Sequence, residues 1–169
     1  MNEIDYFRSI RDIPYYISTD IDEAEHSCYF KHLLLKNSLE SLGINTRLRL
    51  CEFRWDNLPL PKGLKRIIHS EYAGHTYLET EIDKKWETLD LTWDKGIESI
   101  LPVQDWDGLS STNLAVLPTK VYSPEECLMR FSIKDTPEII ERDLKINREF
   151  YKALNGWMSN ARKEFYSKK

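Results

Sequence analysis

The sequence predicts an α+β fold: a helix carrying a cysteine in its first turn, packed on an antiparallel sheet, with further helices toward the C-terminus. Three observations carry that expectation. The segment from Ser27 to Gly43 opens on an N-capping residue type and closes on glycine, as a helix does. His75 to Ile82 alternates with a period of two, and a second run rich in aromatic and β-branched residues, Trp86 to Trp93, follows it after Asp83-Lys84-Lys85. Thr136-Pro137 opens a long segment with helical apolar spacing.

Taken in order, the N-terminal segment to about Asp20 contains RDIPYYIS, whose Pro14 and paired tyrosines predict an extended stretch against the domain. Asp20 to Glu25 is an acidic lead-in to the cysteine helix. Thr46 to Trp55 reads as a strand whose apolar phase switches from Leu48 and Leu50 to Cys51, Phe53 and Trp55, which calls for a bulge or for burial on both faces. The next loop holds Pro59, Pro61 and Gly63 and is placed to form a cleft wall; its Lys62 to Arg66 cluster reads as solvated. After the hairpin come two short strand candidates, Asn113 to Leu117 and Thr119 to Tyr122. Ser123, Pro124 and Glu126 form a capping box that starts the helix of Cys127. In the last segment Ile139, Ile140, Leu144, Phe150, Tyr151 and Leu154 make the expected buried stripe. Asn155-Gly156 is the expected break before a second amphipathic helix, Trp157 to Phe165.

At 169 residues with 41% hydrophobic content, five Trp and nine Tyr, the chain fits one domain, residues 1–169, with a core at about 13–94 and a C-terminal extension at about 95–169 packed on it. A net charge of −4 argues against a general nucleic-acid surface. No run approaches the roughly 18 apolar residues of a spanning helix, and no basic, apolar leader opens the chain, so no membrane partner is expected and the cytoplasm is the expected location. The three cysteines stand in unrelated contexts and form no disulfide framework; Cys51, in a strand, and Cys127, in a helix, read as small buried hydrophobes.

Cys28 differs from both. In the first turn of a helix, unpaired N–H groups and the positive end of the dipole favour a thiolate and offer donors to an oxyanion. A two-residue turn at Asp83 and Lys84 would pair His75 with Thr92 and Tyr77 with Asp90, making Asp90 a same-face diagonal neighbour of His75. A carboxylate there can orient the imidazole.

At these residues the chain resembles the transglutaminase-like superfamily, with its papain-like core of a cysteine at a helix start and histidine and aspartate on adjacent strands. CYFKHLLLKNSLESLGI resembles the family's cysteine helix, SLGINTRLRLCEF its step from helix to strand, and HTY and WETLDLT its two strand motifs. The resemblance spans about Ile13 to Asp94 and implies Cys28 as nucleophile, His75 as base and Asp90 as orienting carboxylate. The chain departs from the pattern at His26, where a small residue is common, at Tyr77, often Trp, and in the insertion from Asp56 to Gly74.

The implied activity is thiol-dependent acyl transfer or hydrolysis at an amide or ester bond, on a peptide or protein amide substrate, with no cofactor and no calcium-loop signature. The alternative is a non-catalytic domain of the same family whose cleft binds a peptide or partner protein. Cys28 and His32 share a helical face at a zinc-like spacing, but no CxxC or HExxH supplies further ligands, so no metal is expected and His32 reads as a surface residue. His69 reads as solvated or as part of a wall. Asp94 competes with Asp90 on strand parity, and the WxxxDxT pattern favours Asp90. Trp86, Trp93 and Tyr77 read as core or cleft-lining aromatics.

Overall fold

The computed structural model describes residues 1–168. Its helices are α1 (Glu3–Arg11), α2 (Cys28–Ser41), α3 (Lys62–Lys65), α4 (Pro124–Phe131) and α5 (Pro137–Ser167), and its strands are β1 (Thr46–Arg54), β2 (Tyr72–Ile82), β3 (Lys85–Leu89) and β4 (Pro118–Val121). The strands form one antiparallel sheet in the order β3-β2-β1-β4. The fold is therefore α+β, with a four-stranded antiparallel sheet.

The first helix precedes the stretch of RDIPYYIS expected to be extended and covers a segment for which the sequence carries no expectation of its own. Asn2 and Asp5 form a capping box, each side chain accepting the other's backbone N–H at 2.9 and 3.3 Å, and the helix buries Phe7 and Ile10. Extended chain begins only after Arg11. At the end of α2, Gly43 takes φ 78°, and Ile44 N–H returns to the Leu39 carbonyl at 3.1 Å. That left-handed geometry is what glycine supplies at a helix end.

The β2–β3 turn has Asp83 at φ 49° and Lys84 at φ 64°, a two-residue hairpin turn with both central residues left-handed. Ile82 pairs with Lys85 and Leu78 with Leu89, which is the expected register, and the ladder stops one residue short of Asp90. There Thr112 takes over, its N–H bonded to the Thr88 carbonyl and its hydroxyl accepting Asp90 N–H, both at 2.8 Å.

β1 buries Arg49, Cys51 and Phe53 on one face while Leu48 and Leu50 on the other are half-buried, and the strand shifts register against β4 between Glu52 and Phe53, so the irregularity accompanies the phase switch. Cys51 and Phe53 join a cluster with Trp55, Tyr77, Trp93 and Ile97, closed by Phe150, Leu154 and Met158 of α5. Leu48 packs with a second cluster, in which Phe7 and Ile10 of α1 and Leu35 and Leu39 of α2 meet Leu78 and Leu89.

Several local expectations are corrected. Residues 113–117 form no strand, because Ala115 N–H donates to Asp90 at 2.8 Å and its carbonyl accepts Trp93 Nε1–H at 3.1 Å, leaving no ladder partner. Lys62 to Lys65 is a helical turn, not a loop. Trp86 is neither core nor cleft wall: it is 42% exposed, with the Arg47 guanidinium 4.1 Å above its ring. Asn155-Gly156 does not break α5, which runs 31 residues. Asn155 instead donates to the Ile17 carbonyl at 2.8 Å and accepts Ile17 N–H at 3.1 Å, and Leu154 and Met158 are buried on either side. That burial outweighs the roughly 1 kcal/mol cost of an interior glycine.

Candidate active site

The start of α2 sets the position of Cys28. Ser27 holds the N-cap position with extended backbone, but its hydroxyl donates to Glu25 at 2.8 Å and makes no capping bond. The first-turn N–H groups of α2 are therefore not capped by a side chain. The thiol is partly exposed, and its sulfur accepts Thr76 N–H from β2 at 3.5 Å.

His75 precedes that amide on β2 and is 2% exposed. Its Nε2 lies 2.7 Å from Asp90 Oδ2, and Cys28 lies close enough to the same ring to favour its charged form. With Nε2 taken by the carboxylate, Nδ1 is the nitrogen left for sulfur. Cys28, His75 and Asp90 thus converge although helix, strand and loop deliver them separately.

Asp90 is fully buried and heavily bonded. Oδ2 also accepts Ala115 N–H at 2.8 Å, while Oδ1 accepts Thr92 N–H at 3.1 Å and its hydroxyl at 2.6 Å. Burial opposes its ionisation, but the His75 charge and these donors prevail and hold it well below the ordinary carboxylate range. Burial likewise opposes the His75 imidazolium; the Asp90 charge and hydrogen bond outweigh it and raise His75 to about 10.

His32 is not at the surface, as expected, but fully buried. Leu91 N–H donates to its Nε2 at 3.2 Å, which leaves the proton on Nδ1 to be donated to the Cys28 carbonyl at 2.7 Å. Both ring nitrogens are committed, so neither is free for a metal. Burial lowers its pKa to about 4, and this neutral ring ties the cysteine turn to the strand end beside Asp90, 3.6 Å from Oδ1.

Asp94, the competing carboxylate, faces elsewhere: it accepts Tyr15 N–H at 3.0 Å and pairs with Arg162 at 2.7 and 3.0 Å. His26 stacks on Phe30 and His69 on Phe150, at centroid distances of 5.1 and 4.2 Å. Sequence reasoning missed Lys31, whose buried ammonium donates to the carbonyls of Arg11, Ile13 and Thr92 at 2.8 to 3.0 Å. Burial lowers it to about 7. Its only signal is its place beside His32 on the inner face of α2. Thr92 had a signal as well, in the WxxxDxT spacing.

Cys28 and His75 open into a cleft of about 660 Å³. Tyr15, Trp55 and Trp93 line it from the core, Tyr72 and Gly74 from β2, and Ile139, Asp143, Asn147 and Tyr151 from α5. The C-terminal helix is thus a wall of the cleft and not only an outer layer. Among the described residues, no helix is long and apolar enough to cross a membrane. No protein-family model, curated protein or solved structure matches the chain.

Proposed function

We propose that the protein is a cysteine acyl-transfer enzyme with a transglutaminase-like, papain-like core, acting on an amide or ester of a peptide or protein. The observation that carries this reading is the 2.7 Å bond between His75 Nε2 and a buried, ionised Asp90, with the Cys28 sulfur on the amide next to His75 and both residues lining a cleft. The resemblance in motif order described above supports it.

The high His75 pKa makes the resting imidazole a cation, and the proposed reaction proceeds through the thiolate form of Cys28 beside it. The thiolate attacks the carbonyl carbon, and the oxyanion that forms is met by the uncapped amides at the start of α2. His75 gives its proton to the leaving amine or alkoxide as the carbon–heteroatom bond breaks, leaving a thioester on Cys28. Neutral His75 then takes a proton from an attacking water or amine, and the collapse of the second tetrahedral adduct returns the thiolate. Water gives hydrolysis and an amine gives transfer. Asp90 holds the ring throughout and does not exchange a proton.

The test is a panel of glutamine peptides, peptide amides and acyl esters, assayed with wild type beside Cys28→Ala. Turnover of at least one member by wild type and none by the variant is expected. Equal rates across the whole panel would leave a non-catalytic, peptide-binding domain as the better reading.

A further inference from the structure

Apart from His75, the charged side chains that line the cleft above Cys28 are all carboxylates. Asp20, Glu23, Glu25, Asp135 and Asp143 line it, and among the described residues no lysine or arginine does. None of these five carboxylates forms an ion pair with the side chains described. Their hydrogen bonds come from neutral donors: the Tyr16 hydroxyl to Glu23 at 2.6 Å, the Ser27 hydroxyl to Glu25 at 2.8 Å, and the Asn147 amide and Tyr151 hydroxyl to Asp143 at 2.8 and 3.0 Å. Neutral donors orient a carboxylate without cancelling its charge.

Two nearby cations are engaged elsewhere. Arg148 donates to the Thr19 carbonyl at 3.0 Å, and Arg54 pairs with Glu71 at 2.7 Å. The one positive group in the lining, His75, is matched by Asp90 behind it. Aromatic rings of Tyr15, Phe53, Trp55, Trp93 and Tyr151 form much of the remaining surface, a lining whose faces also favour cations. A volume of about 660 Å³ admits a few extended residues, not only the reacting group.

We infer that the cleft selects acyl substrates that carry positive charge beside the reacting carbonyl, as a peptide segment with arginine or lysine side chains does. The inference rests on the acyl-transfer reading, because the thiol and its cavity mark the site; the carboxylates decide which charge enters it. Water-facing carboxylates repel an anionic segment over the approach as well as in contact, since like charges this close lie within a Debye length.

Two small thiol reagents of opposite charge test it without any turnover. Trimethylammonioethyl and sulfonatoethyl methanethiosulfonate each transfer a thioalkyl group to the Cys28 sulfur and release methanesulfinate. Their rate ratio at Cys28, located by peptide mass spectrometry, is divided by the ratio for β-mercaptoethanol. A preference of about tenfold for the cation at low salt is expected. It should collapse in 1 M sodium chloride and diminish in the Asp20→Asn, Glu25→Gln, Asp135→Asn triple variant. In parallel, Cys28→Ala should bind a fluorescein-labelled arginine-containing peptide and not its glutamate counterpart. A normalised ratio at or below one in wild type, or failure of both reagents to reach Cys28, would overturn the inference. The salt series needs no variant to fold. Charge preference without turnover on the substrate panel would instead count against acyl transfer, and turnover without charge preference against this inference alone.

Discussion

Asp90 loses all contact with water and stays ionised: burial works against the charge, and the charge and hydrogen bond of His75 lead the groups that outweigh it, with Ala115 and Thr92 donating as well. The pH dependence follows residue by residue. Because the His75 pKa is raised from 6.5 to about 10, its contribution to stability is complete below pH 6.5 and is lost as pH rises through 10. Asp90, held low, contributes above the ordinary carboxylate range and loses that contribution as pH falls through its folded value. His32 runs the other way from His75: lowered from 6.5 to about 4, it makes the unfolded chain the better proton acceptor between those values, so stability declines as pH falls across them. Nitrogen-detected NMR should find the His75 ring charged throughout neutral pH and titrating near 10, and in Asp90→Asn near or below 6.5. Asp90→Asn should also lower stability in urea by about 3 to 5 kcal/mol at pH 7, since it breaks a buried pair from one side. A wild-type ring that titrates at an ordinary value would remove the charged pair from the site. His32→Asn, too short to bridge Leu91 and Cys28, should cost about 1 to 3 kcal/mol and flatten the acid decline; unchanged stability between pH 6.5 and 4 would show that the ring does not carry it.

Between elements, the hairpin and the last helix determine whether the site assembles. Asp83 and Lys84 both sit in the left-handed region, where side chains cost roughly 1 to 2 kcal/mol each and where Asn-Gly is the preferred pair. Replacing them with Asn-Gly should raise the melting temperature without altering the register that brings Asp90 to His75; a fall would mean the turn is not as described. At the other end, Arg162→Ala strands the buried Asp94 and should cost about 3 to 5 kcal/mol by thermal unfolding. Gly96→Ala tests the same joint by crowding, because a Cβ there would stand 2.8 Å from Arg162 Cγ and 3.1 Å from Asp94 Oδ1.

These elements also show what is legible in the sequence. The hairpin register can be read because a two-residue turn fixes strand parity and the period-two pattern confirms it. The Cys28 helix can be read because its start and its glycine stop are local. The continuity of α5 cannot, since Asn155-Gly156 looks like a break until Ile17, far away in sequence, bonds to the asparagine. His32 misleads and Lys31 escapes notice for the same reason: polar side chains look solvated until carbonyls and amides from Arg11, Ile13, Leu91 and Thr92 arrive to satisfy them.

Across the whole molecule, residues from both ends of the chain close around one thiol. The segment from Tyr15 to Ser27 and the helix α5 face each other across the cleft, joined by the Asn155–Ile17 and Arg162–Tyr15 bonds, while the sheet supplies His75 between them. Burial separates the cysteines: Cys51 and Cys127 are fully buried, and Cys51 is pushed up to about 12, whereas Cys28 opens into the cleft. The decisive measurement is the rate at which an activated acyl ester modifies Cys28 at pH 7 in wild type and in His75→Ala, with the acylated residue located by peptide mass spectrometry. Acylation should fall on Cys28 ahead of Cys51 and Cys127, and should slow by about 10² to 10⁴ in the variant. Equal rates in the two proteins, or acylation spread evenly over the three cysteines, would contradict a nucleophile activated by His75.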